Sequence, residues 1–417
     1  MVNSKFFSIK KNFLIQFIGY TGPGILVSMA YMDPGNYGTD IQAGSSSNYD
    51  LLWIVWLSSG MAMLLQYLSG KLGISTGLTL PELIRKKFRK KSFILPYWIG
   101  AEAASAATDL AEYLGTVIAL NLLFGMPMIY AAIFGAIDTV LILILATQRK
   151  FYLIERLFII FVSIIGFGYL YELFLVNPNP HLIVYHSFIP SLTTSNSVFL
   201  AVGIIGATVM PHALFLHSWL TKNKSENKSI LEKRRLRKYH LLEVIILLTM
   251  AGFVNAAILI MAAAAFYPQD SEVFSISEAY RTLIPLFGAI SGIIFVLTLL
   301  SSGIASSVVG TLAGQIIMEG LLGKKVNIWF RRFVTRFINV IPTTIAIFLG
   351  IDPLNILVYS QVILSIMIPL PMIPLIIFTR DKSLMGEFVN CRITNYLAIL
   401  FVGIIIVFNS YLLINAI

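Results

Sequence analysis

Apolar residues run along this chain in blocks of about 20 or more, separated by short polar and basic stretches, and that is the length a helix needs to cross a bilayer. The pattern predicts spans near 13–45, 51–70, 97–121, 127–146, 152–174, 197–220, 241–265, 283–318, 334–350, 354–378 and 394–416. Two blocks are interrupted. The first contains Ala30-Tyr31-Met32-Asp33-Pro34-Gly35-Asn36, and the sixth contains Gly203-Ile204-Ile205-Gly206-Ala207-Thr208-Val209-Met210-Pro211-His212. Proline lacks the amide proton a helix needs and glycine leaves φ unrestrained, so the backbone should open around Pro34-Gly35 and again near Pro211. Irregular backbone survives at membrane depth only where it is buried in protein or lines a polar cavity. Five spans separate one break from the next, and an odd number reverses orientation. Residues 13–174 and 197–378 are therefore expected to be inverted copies within a single transmembrane domain, with 394–416 as an added helix.

Composition agrees with the spans. With 57% hydrophobic and only 12% charged residues, the 417-residue chain has too little polar surface for a soluble protein and reads as an all-α integral membrane protein of about eleven helices. The first apolar run is too long for a signal peptide and is expected to stay in the mature protein. A single cysteine, Cys391, excludes an intramolecular disulfide or a thiolate cluster.

The net charge of +10 would suit nucleic acid, but its distribution does not. Lys5, Lys10, Lys11, the Arg85–Lys91 run, Arg149, Lys150 and the loops at 221–240, 324–336 and 380–392 all fall on one side. Of the 30 Lys and Arg only Arg281 falls on the other. Positive loops stay cytoplasmic, so the amino terminus is expected inside and the carboxyl terminus outside a cell membrane. The 266–282 loop, with Asp270, Glu272 and Glu278, is then external.

The breaks bring unusual chemistry to the bilayer centre. Asp33 offers an anionic oxygen, Asn36 an amide oxygen and Met210 a thioether, and the opened turns should free the carbonyls of Ala30 and Ala207. A mixed set with one charge suits a partly hydrated divalent cation, and the sulfur favours a transition ion over Mg²⁺ or Ca²⁺. The plainer alternatives are a proline kink with a structurally paired Asp33, and a Met210 that only packs. His212 suits a supporting or proton-carrying role as well as a structural one, and His217 follows it by five residues. Glu102, Asp109 and Glu112 share one face of the third span, as a proton relay would or as acids paired with a base such as Arg336. Asp138, Glu155 and Glu243 read as lone structural acids, and Gly22-Pro23-Gly24 and Ser301-Ser302-Gly303 as sites of close helix packing.

Asp33-Pro34-Gly35-Asn36 together with Met210-Pro211-His212 resembles the natural resistance-associated macrophage protein (Nramp) family of divalent metal transporters, from Thr21 to the last span. Thr108-Asp109-Leu110-Ala111-Glu112, Phe253-Val254-Asn255-Ala256-Ala257, Thr335-Arg336 and Ser360-Gln361-Val362 extend the likeness. The resemblance implies a LeuT-like five-plus-five inverted repeat with broken first and sixth helices, importing Mn²⁺ or Fe²⁺ with protons and also accepting Cd²⁺ or Co²⁺. It implies Asp33, Asn36, Met210 and the Ala30 and Ala207 carbonyls as ligands, with Gln361 reaching the ion in an occluded state. His212, Asp109, Glu112 and Arg336 match the proton route, and Asn255, Asn409 and Thr108 the gating positions. Two departures are Ala213, where the family commonly has Asn, and Met367, where it has a second Gln. Retention of Met210 separates the chain from relatives that carry Mg²⁺ or Al³⁺.

The resemblance implies no enzyme activity, no cofactor beyond the transported metal, no nucleic acid and no obligate protein partner besides the bilayer. Three rivals are weaker. In a cation-coupled amino-acid symporter of similar fold, Asp33 would repel a substrate carboxylate. An intramembrane hydrolase would need a His-Glu-x-x-His pair or a serine set beside a histidine, and neither is evident. A metal sensor would bind without flux.

Overall fold

The computed structural model describes residue 17 and residues 20–135, 151–192, 194–267, 275–324 and 327–415; the side chains of 151–158, 328, 332, 335–340, 342 and 347 fall outside that description. Asp138, the second half of the predicted fourth span, Lys5, Lys10, Lys11, Arg149, Lys150, Asp270, Glu272 and the side chains of Glu155 and Arg336 therefore lie outside the described residues.

The first span is two helices, α1 (Pro23–Ala30) and α2 (Pro34–Ser47), and the sixth is also two, α9 (Ser195–Val209) and α10 (Pro211–Ser225). Between them come α3 (Leu52–Thr76), α4 (Leu80–Lys87), α5 (Lys91–Phe124), α6 (Met128–Gly135), α7 (Phe151–Val176) and α8 (Pro180–Phe188). After them come α11 (Ile230–Ala265), α12 (Ile276–Phe287), α13 (Ala289–Leu322), α14 (Ile328–Phe348), α15 (Pro353–Met367), α16 (Pro369–Arg380), α17 (Lys382–Met385) and α18 (Arg392–Asn415). Among the described residues eight stretches are long and apolar enough to cross a membrane. The other three predicted spans differ for identifiable reasons. The first is divided into pieces of 8 and 14 residues, the predicted fourth lies partly outside the described residues, and the ninth, α14, carries Arg331, Arg332 and Arg336 in its 21 residues.

Both prolines sit at the start of the second half-helix rather than inside a gap, which moves the breaks from their expected place. In the first span the irregular residues are Tyr31–Asp33; in the sixth Met210 alone lies between the halves. Proline at the first helical position loses nothing, because that N–H would have no partner. The eighth span also differs from expectation, since its predicted start falls inside the amphipathic α12, which buries Ile276, Ala279 and Leu283. Helix α4 is its counterpart between the second and third spans, burying Leu80, Leu83 and Ile84 beside Arg85, Lys86 and Lys87.

Two packing groups surround the breaks. α2 lies against α11, and α3 against α10 and α11, while α5 and α13 form the most extensive helix pair and α9 packs on α15. The fully buried ends of α2 and α9 meet at the centre of these groups.

Candidate functional site

A helix satisfies each carbonyl with the amide four residues on. The residues four beyond Ala30 and Ala207 are Pro34 and Pro211, so neither carbonyl can receive that bond. Local sequence thus frees one carbonyl in each break. The next two carbonyls of the first break are taken up: Asn255 Nδ2 donates to Tyr31 O at 3.1 Å, and Ser302 Oγ donates to Met32 O. Asp33 caps α2, its Oδ1 accepting Asn36 N at 2.9 Å and Asn36 Nδ2 at 2.8 Å.

Asn36 joins the two breaks. Its Nδ2 also donates to Ala207 O at 3.4 Å, and its Oδ1 accepts Thr208 Oγ1 at 3.5 Å and Asn255 Nδ2 at 3.2 Å. The amide donor spans an anionic oxygen and a freed carbonyl, which is where a cation held by both would also be drawn. Asn36 can present its oxygen to such a cation by turning its amide over. Met210 follows Ala207 by three residues and is fully buried, with φ of 41° and ψ of 101°, a backbone conformation that side-chain-bearing residues seldom adopt.

Gln361 of α15 lies directly over Gly35, so closely that a Cβ there would sit 2.8 Å from Gln361 Oε1 and nearer still to its amide carbon and nitrogen. Asp33 Oδ2 and Gln361 Oε1 are buried acceptors with no hydrogen-bond donor among the described residues. Such atoms are costly unless something positive reaches them, and their oxygen chemistry fits a divalent cation. No group of three or more His, Cys, Asp or Glu is arranged to hold a metal ion among the described residues; one carboxylate with neutral oxygen and sulfur donors is the set on offer. Asp33, Asn36, Met210 and Gln361 have no accessible surface, so the site is closed to both sides.

The predicted proton groups divide into two parts. His212 Nδ1 is hydrogen-bonded to Thr108 Oγ1 at 3.0 Å, which ties α10 to α5 beside Asp109. Asp109 and Glu112 converge on α13, where a Cβ at Gly310 would stand 2.7 Å from an oxygen of each. Glu102 is ion-paired with Arg331 of α14, which packs on Gly314, one turn beyond Gly310. Among the described residues Arg331 is the basic partner of Glu102; the side chain of Arg336, the base expected there, lies outside the description. Asn409 of α18 meets α15 at Ser365, one turn along from Gln361, accepting Ser365 Oγ and donating to Ser365 O, both at 2.9 Å.

Several partners escaped the sequence reading. Gln66 Nε2 donates to Tyr31 Oη at 2.8 Å, and Gln66 Oε1 lies 2.8 Å from His217 Nδ1, so a buried polar chain runs from the first break through α3 to α10. A glutamine within an apolar span was the available signal. Ser302 does more than permit close packing, since it caps Met32. Glu243 is not a lone acid, since it binds backbone amides of the first span.

Comparison with known proteins places the chain in a family and a fold. The sequence pattern described as "Natural resistance-associated macrophage protein-like" matches residues 24–415. The chain is 44% identical over 398 residues to the divalent metal cation transporter MntH of Granulibacter bethesdensis, covering 95% of this chain and 88% of that one. It is 40% identical to the MntH of Caldanaerobacter subterraneus over 401 residues, 96% and 94% of the two chains. A crystal structure of a mutant Eremococcus coleocola manganese transporter superposes with a TM-score of 0.84 at 32% identity, over 97% of this chain and 87% of that one. The structure of MhsT in complex with L-phenylalanine shares the fold, with a TM-score of 0.63 at 15% identity over 94% and 97% of the chains.

Proposed function

The chain belongs to the natural resistance-associated macrophage protein family, and from that premise we propose that it imports divalent transition-metal ions, Mn²⁺ and Fe²⁺ foremost, together with protons by alternating access. The carrying observation is Asn36, whose amide bonds Asp33 of the first break and Ala207 of the second at once. Relatives described as divalent metal cation and manganese transporters support the cargo. On this reading the ion enters from outside, exchanges part of its water for Asp33, Asn36, Met210 and the Ala30 and Ala207 carbonyls, and is covered by Gln361. A thioether ranks Mn²⁺, Fe²⁺, Co²⁺ and Cd²⁺ above Ca²⁺.

Binding a dication favours the ionised Asp33, so a proton held there is released, and Asp109 and Glu112 are placed to receive it through His212. An inside-negative potential drives both cations inward, at about 2.3 kcal/mol per charge per 100 mV. The domain is built as inverted repeats, 13–174 and 197–378, with 394–416 added; the matching positions of α4 and α12 between the second and third spans of each half support this. The basic ends at 85–91 and 222–238 face the cytoplasm, which puts the amino terminus inside and the carboxyl terminus outside.

Metal-dependent quench in proteoliposomes carrying an internal pH dye tests the reading. Wild type should acidify the lumen as Mn²⁺ enters. Asp109→Asn with Glu112→Gln should keep Mn²⁺ entry but lose the accompanying acid stimulation by about tenfold; unchanged acid stimulation removes both carboxyls from the proton route.

A further inference from the structure

The inner half of the first broken span, α1, is eight residues long and is held at its amino end by a distant part of the chain. Glu243 of α11 is fully buried, and its Oε1 accepts the backbone N–H of Gly22 and of Gly24, each at 2.9 Å. These amides open the helix, where backbone donors have no partners of their own and the helix dipole is positive. The N-cap residue, Gly22, has no side chain with which to cap them. Gly24 is what lets the carboxyl approach: a Cβ there would stand 2.5 Å from Glu243 Cγ and 2.7 Å from its carboxyl carbon. The other end of α1 is the break itself, where Asn255 and Gln66 hold Tyr31.

The sides of α1 lie on α7, α10, α11 and α13 through apolar contact, which is non-directional and lets a short helix slide or tilt. Two hydrogen bonds to one buried carboxyl are directional. They cannot persist if α1 swings about residues 31–33, and no other step of the proposed cycle uses Glu243. We propose that Glu243 is the latch that keeps α1 closed beneath the cation site, and that release of its two amide bonds is a necessary part of opening the site to the inside. Glu243 is a positioning residue, acting on α1 and through it on the Ala30 carbonyl, without touching the cargo. The proposal rests on the alternating-access reading and on the inward orientation of the amino end.

Thiol accessibility tests it without needing metal or proton flux, so its failure is distinct from failure of the transport reading. In the full chain with its single cysteine removed by Cys391→Ser, one reporter is placed on α1 by Val27→Cys and another near the outer end of α2 by Ser45→Cys, both at buried positions. The rate of modification by a membrane-impermeant methanethiosulfonate is read from each side of sealed vesicles. Glu243→Ala is expected to raise inside labelling of the Val27→Cys reporter at least tenfold while outside labelling at position 45 stays level or falls. Glu243→Gln keeps an oxygen acceptor and should fall between parent and Ala. Gly24→Ala, which crowds the carboxyl aside from the other partner, should reproduce Glu243→Ala and carries the test if the latter does not fold. Inside labelling within twofold of the parent in the folded variants overturns the latch, as does a parallel rise at both reporters, which signals general loosening.

Discussion

The two breaks solve the same backbone problem with different materials. In the first, three residues leave the helix, and three of the backbone groups around them are taken by side chains: Asn255 on Tyr31 O, Ser302 on Met32 O, and Asp33 on the amide of Asn36. In the second a single residue, Met210, carries the whole change of direction at a positive φ, with no side-chain cap on the helix that follows. The first break is polar, multiply bonded and anionic; the second is tight, apolar and ends in sulfur. Charge attraction and geometry thus come from one side of the site and softness from the other. Selectivity and affinity should be separable by substitution.

The largest effect is expected at the charged side. Asp33→Ala removes the only carboxylate proposed to touch the cation and should lower Mn²⁺ uptake at least 100-fold, as measured by fluorophore quench in proteoliposomes; uptake within tenfold of wild type breaks the proposed division of labour. The soft side should respond differently. Met210→Ala should leave transport measurable but reduce the preference for Mn²⁺ and Cd²⁺ over Ca²⁺ by about tenfold, a change of about 1.4 kcal/mol. Competition by Ca²⁺ that is unchanged in this variant would take the sulfur out of the account.

A third test addresses the bonds around the first break. Asn255→Ala deprives Tyr31 O of its donor and leaves Asn36 with one partner fewer; it should cost about 1–3 kcal/mol of stability, the usual penalty for a buried group left unpaired. A lowered unfolding midpoint in detergent, partly restored by Mn²⁺, is the expected result, and an unchanged midpoint would mean the break holds its shape without that bond.

The smallest effect concerns the carboxyl end of the second broken span, which is tied quite differently from α1. Lys222 of α10 reaches Glu82 at 2.9 Å across a partly exposed contact, and Thr79 N donates to the same carboxylate at 2.7 Å. Burial works against ionisation of Glu82, but the Thr79 amide and Lys222 outweigh it and hold the carboxyl below its usual range. A carboxyl depressed in the folded state contributes stability above its unfolded value, about 4.3, and loses it as pH falls through the lower folded value. Lys222→Ala should therefore cost about 0.5 kcal/mol or less at neutral pH. The difference should vanish in thermal melts taken at acid pH, below the folded value; a difference that persists there would assign the effect to lost packing.

The contrast between the breaks also marks what the sequence could and could not reveal. Pro34 and Pro211 announced both interruptions, because a missing amide is a property of the residue itself. Where the irregular backbone would lie was less legible: proline prefers the first helical position, so each break fell just before its proline instead of around it. Asp33, Asn36 and Met210 stood out because polar or soft donors beside a broken span are unusual. Residues that reach the breaks from elsewhere could not be found this way. Ser302, Gln66 and Glu243 lie 270, 35 and 219 or more positions from the atoms they hold, and only the folded arrangement of α3, α11 and α13 makes them neighbours. Arg331 illustrates the same limit, since it lies 229 positions from Glu102 and spacing within α14 does not reveal that they pair.

The central claim, that the two breaks jointly hold one cation, is most directly tested by anomalous diffraction from crystals soaked in Mn²⁺ and recorded on both sides of the manganese edge. A single peak within bonding distance of the Asp33 carboxylate, the Ala207 carbonyl and the Met210 sulfur is the predicted result. Density confined to the Asp109–Glu112 acids or to the surface, with none between the breaks, would contradict it.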